Sequence, residues 1–136
     1  MPVALEIVSP ERSLLSRPVD MVVIPGTEGD IGVLPGHSKL ITGLRGGVID
    51  LYENDRITDR FFVSGGFAEV TEERCTVLAD AIVTIADLDA GVAASTLAAA
   101  EQAYAATSIE DTEAYRMATD RLISAQAMAD AVAGRD

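Results

Sequence analysis

Residues 81–94 read AIVTIADLDAGVAA, and at this point the chain changes character. Before it lie β-branched residues, all five prolines and nine of the eleven glycines. After it come alanines, no proline, and only Gly91 and Gly134. Short apolar runs between turn residues indicate strands, whereas alanine-rich stretches without proline indicate helices. The boundary near residue 87 therefore divides the chain into a β domain, 1–86, and a helical domain, 87–136.

In the first part, strands are predicted over Ala4–Ser9, Val19–Ile24, Gly32–Leu34, Ser38–Leu44, Gly47–Tyr52, Thr58–Val63, Phe67–Thr71, Arg74–Ala79 and Ala81–Ile85. No strand is assigned between Ser9 and Val19, where SPERS (9–13) reads as a turn. YENDR (52–56) reads as a hairpin turn with Asn54 and Asp55 at its tip, and TEER (71–74) as another turn. Such spacing is that of a sandwich or barrel. Thr76–Leu78 and Ile82–Val83 are nearly all apolar, which predicts strands covered on both faces.

In the second part, one helix is predicted from about Asp89 to Tyr104, with Asp87 or Asp89 as N-cap. A break follows at ATSIED (106–111). Thr107 with Glu110, or Ser108 with Asp111, has the spacing of a capping box for the next helix. That helix runs to about Val132, with Gly134 beyond its end. Its apolar positions Tyr115, Ala118, Leu122, Ala125, Ala129 and Val132 alternate three and four apart, a narrow stripe that one partner helix covers. The short connection makes the pair an antiparallel hairpin. Having few large apolar side chains, it is expected to dock weakly and to be able to detach.

The net charge is −12 over 136 residues, with one lysine, Lys39. Nucleic-acid binding is disfavoured, because phosphate contacts need clustered Lys and Arg. Unaided docking on anionic lipid is disfavoured for the same reason. No apolar run approaches the roughly 18 residues of a membrane helix, and no signal or transit peptide is evident at the start. The single cysteine, Cys75, lies in an apolar alternating run and reads as a buried, inert thiol.

Site motifs are few. PGTEGDIGVLPGH (25–37) is glycine-rich and carries the chain's one histidine, yet Gly26, Gly29, Gly32 and Gly36 are three, three and four apart. A phosphate loop needs glycines five apart, the second followed by Lys and Ser or Thr. One His and one Cys give no zinc set. VSGG (63–66) is not a nucleophile elbow and reads as a tight turn between strands. Asp87, Asp89, Glu110, Asp111 and Glu113 fall at helix starts, where the dipole favours negative charge. No catalytic constellation or cofactor site emerges.

PGTEGDIGVLPGHSKLITGLRGGVI (25–49), FFVSGGFAEV (61–70) with CTVLAD (75–80), and ADLD (86–89) together resemble the epsilon subunit of F-type ATP synthases, whose mitochondrial counterpart is called delta. The resemblance spans essentially the whole chain. It implies a ten-stranded β-sandwich followed by two C-terminal helices. It also implies a non-catalytic place in the central stalk, bound to the gamma subunit and the c-ring, that couples proton-driven rotation to ATP synthesis. In many bacterial members the helices extend along gamma and restrain ATP hydrolysis, which brings them to the alpha and beta subunits. The location implied is the cytoplasmic face of the bacterial inner membrane, held there through the complex, with the plastid thylakoid as the less favoured setting.

By position, Glu28, Gly29 and Asp30 fall in the turn that meets the polar loops of the c-ring, and His37 falls at the rotor interface or orients its loop. The chain departs from the family at Lys39, where many members have proline. It departs also at Val92, where members that bind ATP carry arginine after a Leu–Asp pair, here Leu88–Asp89. Arg116 and Arg121 remain on the second helix, but five residues apart they point to opposite faces. ATP binding is therefore expected to be weak or absent. The competing reading is a stand-alone small-ligand or nucleotide-sensing module.

Overall fold

The computed structural model describes residues 2–134, with only the backbone of Arg12. Met1, Arg135 and Asp136, which close the two expected halves, lie outside the described residues. Ten strands precede two helices: β1 Val3–Ser9, β2 Arg12–Val19, β3 Met21–Gly26, β4 Gly29–Val33, β5 Leu40–Leu44, β6 Gly47–Glu53, β7 Arg56–Val63, β8 Gly66–Val70, β9 Arg74–Ala79 and β10 Ile82–Thr84. After a 3-10 turn at Ile85–Asp87 come α1, Ala90–Ala106, and α2, Thr112–Gly134. The strands are hydrogen-bonded in the order β10-β7-β6-β3-β5-β8-β9-β1-β2, with β4 paired to β3. This chain of pairings folds over into a sandwich. Alternate residues, among them Leu5, Ile7, Val22, Ile24, Ile49, Leu51, Val63, Val70, Cys75 and Val77, bury themselves in one core.

Several local expectations hold for the reasons given. Asn54 and Asp55 both take positive φ, 55° and 62°, the geometry of a two-residue hairpin turn. Asp89 is the α1 N-cap and accepts the Val92 N–H at 2.9 Å. Cys75 is fully buried and free, and burial pushes its thiol up from 9.0 to about 11, so it is held as the unreactive thiol.

Others are corrected. Strand β2 lies where no strand was expected, and it contains Pro18. It pairs only with β1, as an edge strand of the sheet, where a missing N–H costs no ladder bond. From that edge, Arg17 reaches Asp59 of β7 and Thr58 Oγ1 at 3.3 Å, tying the open side of the sandwich. The SGG turn does stand between two strands as expected, β7 and β8, but these are not neighbours in the sheet: β7 pairs with β6 and β10, and β8 with β5 and β9. Gly65 and Gly66 carry the chain across the sandwich with φ of +138° and +136°, a region L residues avoid. Neither capping box forms. Asp111 caps α2 by accepting the Ala114 N–H at 3.2 Å, while Thr107 Oγ1 bonds back to the Ala103 carbonyl at 2.6 Å. Helix α2 also continues through Gly134.

The helices form the expected antiparallel pair. Ala93 and Ala100 on α1, and Ala118 and Ala125 on α2, are buried, and such small residues let the helices approach closely. Near the connecting loop the Tyr104 and Tyr115 hydroxyls share a 2.6 Å hydrogen bond, with ring centroids 5.4 Å apart. That bond, then burial, raises the Tyr115 pKa. A raised acid pKa means the neutral pair is favoured, so the clasp is whole at neutral pH and weakens as pH rises past the ordinary tyrosine range of about 10.

Helix α2 has a second seam that the single stripe did not show. Ala131, with Ala127, Met128 and Val132 beside it, packs on Phe62, Val48, Ile85 and Leu88. Val48 and Phe62 are cross-strand partners on β6 and β7, and their side chains leave the sandwich core on its outer side. The hairpin thus roofs the outer face of β6–β7. At one point the approach is closer than side chains allow. A Cβ on Gly46 would fall 2.5 Å from the Ser124 Cα, so the helix backbone rests directly on this glycine.

Candidate interaction surfaces

The outer face of the opposite sheet is bare. On strands β5, β8, β9 and β1 the residues Gly43, Phe67, Leu78 and Val8 stand side by side in one cross-strand row. Phe67 is 61% exposed and Leu78 53%. The adjacent row holds Ile41, 73% exposed, with Glu69, Thr76 and Glu6. Two-sided cover for β9 is therefore not met among the described residues: Val77 is fully buried while Leu78 faces out. Val83 on β10 is likewise exposed. Contiguous apolar side chains on a water-facing sheet mark a surface shaped for another protein.

The glycine-rich stretch builds the end of this surface. Strands β3 and β4 close over Thr27 and Glu28, with Gly26 opposite Gly29 and Gly29 at φ +141°. The Thr27 N–H donates to the Gly43 carbonyl at 3.0 Å, so the tip adjoins the Gly43–Phe67 row. The candidate acids at the tip differ. Asp30 accepts from Arg45 Nη2 at 2.6 Å, and the same guanidinium donates to the Gly26 carbonyl at 2.6 Å. Glu28 is exposed and makes no ion pair among the described residues.

His37 is not brought beside Glu28, Gly29 and Asp30. It follows the far end of β4, half-buried, with Nδ1 2.7 Å from the Ser38 carbonyl. Its loop is fixed by Gly36, whose N–H donates to the Glu72 carbonyl at 2.8 Å. Because a carbonyl can only accept, the imidazole donates through Nδ1.

A cavity of about 360 Å3 lies where α1, α2 and β7 meet. Arg121 lines it with Ser64, Thr96 and Ser124, and Arg116 does not. Val92 is 58% exposed, and the Asp89 carboxylate is engaged by the helix cap. One guanidinium, with no second cation among the described residues lining the cavity, is a weak match to a triphosphate. Among the described residues no group of three His, Cys, Asp or Glu is placed to hold a metal ion. No helix among them is long and apolar enough to cross a membrane.

Sequence reasoning missed Arg45, Gly46, Phe67 and Leu78. The signal for Leu78 was present in the nearly all-apolar stretch Thr76–Leu78 of β9, read as two-sided cover, whereas Phe67 on β8 was read only as part of a strand. For Arg45 and Gly46 no signal exists in one sequence, since their roles depend on what folds against them.

Residues 2–85 match the family described as ATP synthase, Delta/Epsilon chain, beta-sandwich domain. The ATP synthase epsilon chain of Granulibacter bethesdensis is 54% identical over 128 residues, 94% of this chain and 95% of that one. That of Paramagnetospirillum magneticum is 43% identical over 96% of this chain and 97% of its own. Among solved structures, the cryo-EM structure of the Euglena gracilis mitochondrial ATP synthase, OSCP/F1/c-ring, holds a chain with the same fold. The TM-score is 0.80 at 21% identity, over 96% of this chain and 81% of that one. These matches reach past the sandwich into the helices, and the chain belongs to the ATP synthase delta/epsilon family.

Proposed function

We propose that the chain is a non-catalytic subunit of the central stalk of an F-type ATP synthase, binding gamma and the c-ring and coupling proton-driven rotation to ATP synthesis. The observation that carries this reading is the bare apolar row Gly43–Phe67–Leu78–Val8, which stands opposite the roofed face and is left for a partner. Gamma is assigned to that row and to the His37 loop, which is fixed at the far end of the β8–β9 hairpin by the Gly36 N–H on the Glu72 carbonyl. The c-ring is assigned to the tip, where Glu28 offers a free carboxylate and Gly29 and Asp30 set its shape. An acidic tip suits basic rotor loops. The Tetrahymena thermophila structure described as central stalk and c-ring, at a TM-score of 0.58 and 12% identity, has a chain of related fold.

The rest of the reading follows the same division. Residues 1–86 carry the docking surfaces, and 87–136 form a roof that regulates ATP hydrolysis weakly and reaches alpha and beta when extended. Arg121 as the one cation lining the helix cavity supports a chain with no bound nucleotide and weighs against the nucleotide-sensing alternative. Membrane association comes only through the complex, at the cytoplasmic face of a bacterial inner membrane.

Purified gamma is expected to bind this chain in titration calorimetry. Phe67→Asp is expected to weaken that binding about tenfold or more, equal to roughly 1.4 kcal/mol, without unfolding a residue already turned to water. Equal affinity for both proteins would overturn the assignment of gamma to this face.

A further inference from the structure

We propose that Arg45 couples the β3–β4 tip to the docking of α2, so that engagement of Asp30 by an outside cation tightens the hairpin onto the sandwich. The guanidinium of Arg45 holds the tip by two contacts, to Asp30 and to the Gly26 carbonyl, each at 2.6 Å. Its backbone N–H donates to the Pro25 carbonyl at 3.0 Å. The next residue, Gly46, is the point on which the Ser124 backbone rests. Tip and helix thus meet at two consecutive residues.

A cavity of about 340 Å3 lies beside this junction, lined by Thr27, Arg45 and Gly46 on the sandwich and by Asp120 and Ile123 on α2. Asp120 makes no ion pair among the described residues, and neither does Asp80, which lines the cavity from the sandwich side. Arg45 therefore stands between a paired acid at the tip and an unpaired acid on the helix. When a basic group takes Asp30, the guanidinium loses that partner, pivots on its remaining bond to the Gly26 carbonyl, and turns its freed edge to the cavity. There Asp120 draws it and the helix together, while Asp80 competes and keeps the response modest. A ligand shifts an equilibrium only through such differential contact.

The coupling uses the docked hairpin as it stands in the isolated chain, and only its purpose rests on the tip being a rotor contact. It is tested on the full chain alone, so its failure leaves the binding of gamma untouched. The readout is hydrogen-exchange protection of the Ser124 amide by NMR. Asp30→Asn mimics an acid already engaged and is expected to raise protection about threefold. Arg45→Gln is expected to leave it near the unsubstituted level, and adding Asp30→Asn to Arg45→Gln is expected to change nothing further. Should Arg45→Gln loosen the sandwich, Arg45→Lys with Asp30→Asn keeps a charge at the turn and is expected to retain part of the gain. No gain in Asp30→Asn, or a gain that persists when Arg45→Gln is added, overturns the proposal.

Discussion

Gly66→Ala is expected to destabilise the sandwich by about 3 kcal/mol or more. Two independent costs combine at this residue. Its φ of +136° lies in a region that L side chains rarely adopt, a strain of order 1–3 kcal/mol. An added Cβ would also fall 2.0 Å from the Leu78 carbonyl oxygen and 3.0 Å from the Ala79 Cα. Both neighbours are backbone in the β9 ladder, paired across to β8 and parallel to β1, so no side chain can swing aside. Overpacking of this kind adds about 1–3 kcal/mol. Urea denaturation followed by fluorescence or circular dichroism measures the loss. Gly134→Ala is the control, because nothing lies within 4 Å of a Cβ there. A loss below about 1 kcal/mol for Gly66→Ala would show that the crossover turn relaxes freely.

Gly46→Val is expected to lift the helical hairpin while leaving the sandwich folded. Gly46 is not in the left-handed region, so valine meets no backbone penalty there. Its Cβ would meet the Ser124 Cβ at 2.4 Å and the Cα at 2.5 Å. The helix has little to hold it against this push. Its contact with the sandwich rests on Phe62, Ile85, Leu88 and Ala131, with Val48, Ala127, Met128 and Val132 beside them. The burial of one large side chain is worth about 1.5–3 kcal/mol, so a clash of similar size offsets much of the dock. Trypsin cleavage after Arg116 and Arg121 is expected to quicken at least about tenfold, with the fully buried β-sheet amides still protected from exchange. Unchanged cleavage would mean that α2 slides past the new side chain.

The parts of the fold legible in the sequence were those fixed by neighbours along the chain. Asp89 caps α1 because a carboxylate three residues ahead of a free N–H acts whatever else folds nearby. Asn54 and Asp55 made their turn for a similar reason. Strand β2 was hidden because Pro18 argues against a strand, and only the sheet order reveals that it lies at the edge. The second seam of α2 was hidden because Ala127, Met128 and Ala131 sit beside the interhelical stripe, and a single periodicity cannot separate two adjoining faces.

The candidate site divides along the same line. Glu28, Gly29 and Asp30 were legible as an exposed turn, since glycine and acids favour one. Their inequality was not, because Arg45 lies 15 residues beyond Asp30. Leu78 was read as lying in a strand covered on both faces, and among the described residues nothing covers its side. In the proposed assembly that cover comes from gamma, so the apolar pattern of β9 describes the complex rather than the isolated subunit.

In the role proposed above, this chain transmits rotation and carries no catalytic step. The decisive measurement is ATP hydrolysis and ATP-driven proton pumping, assayed side by side on ATP synthase assembled with and without it. Without the chain, hydrolysis is expected to continue while pumping falls to background, and adding the purified chain back is expected to restore pumping. Pumping that persists without the chain, or hydrolysis that vanishes with it, would contradict the claim.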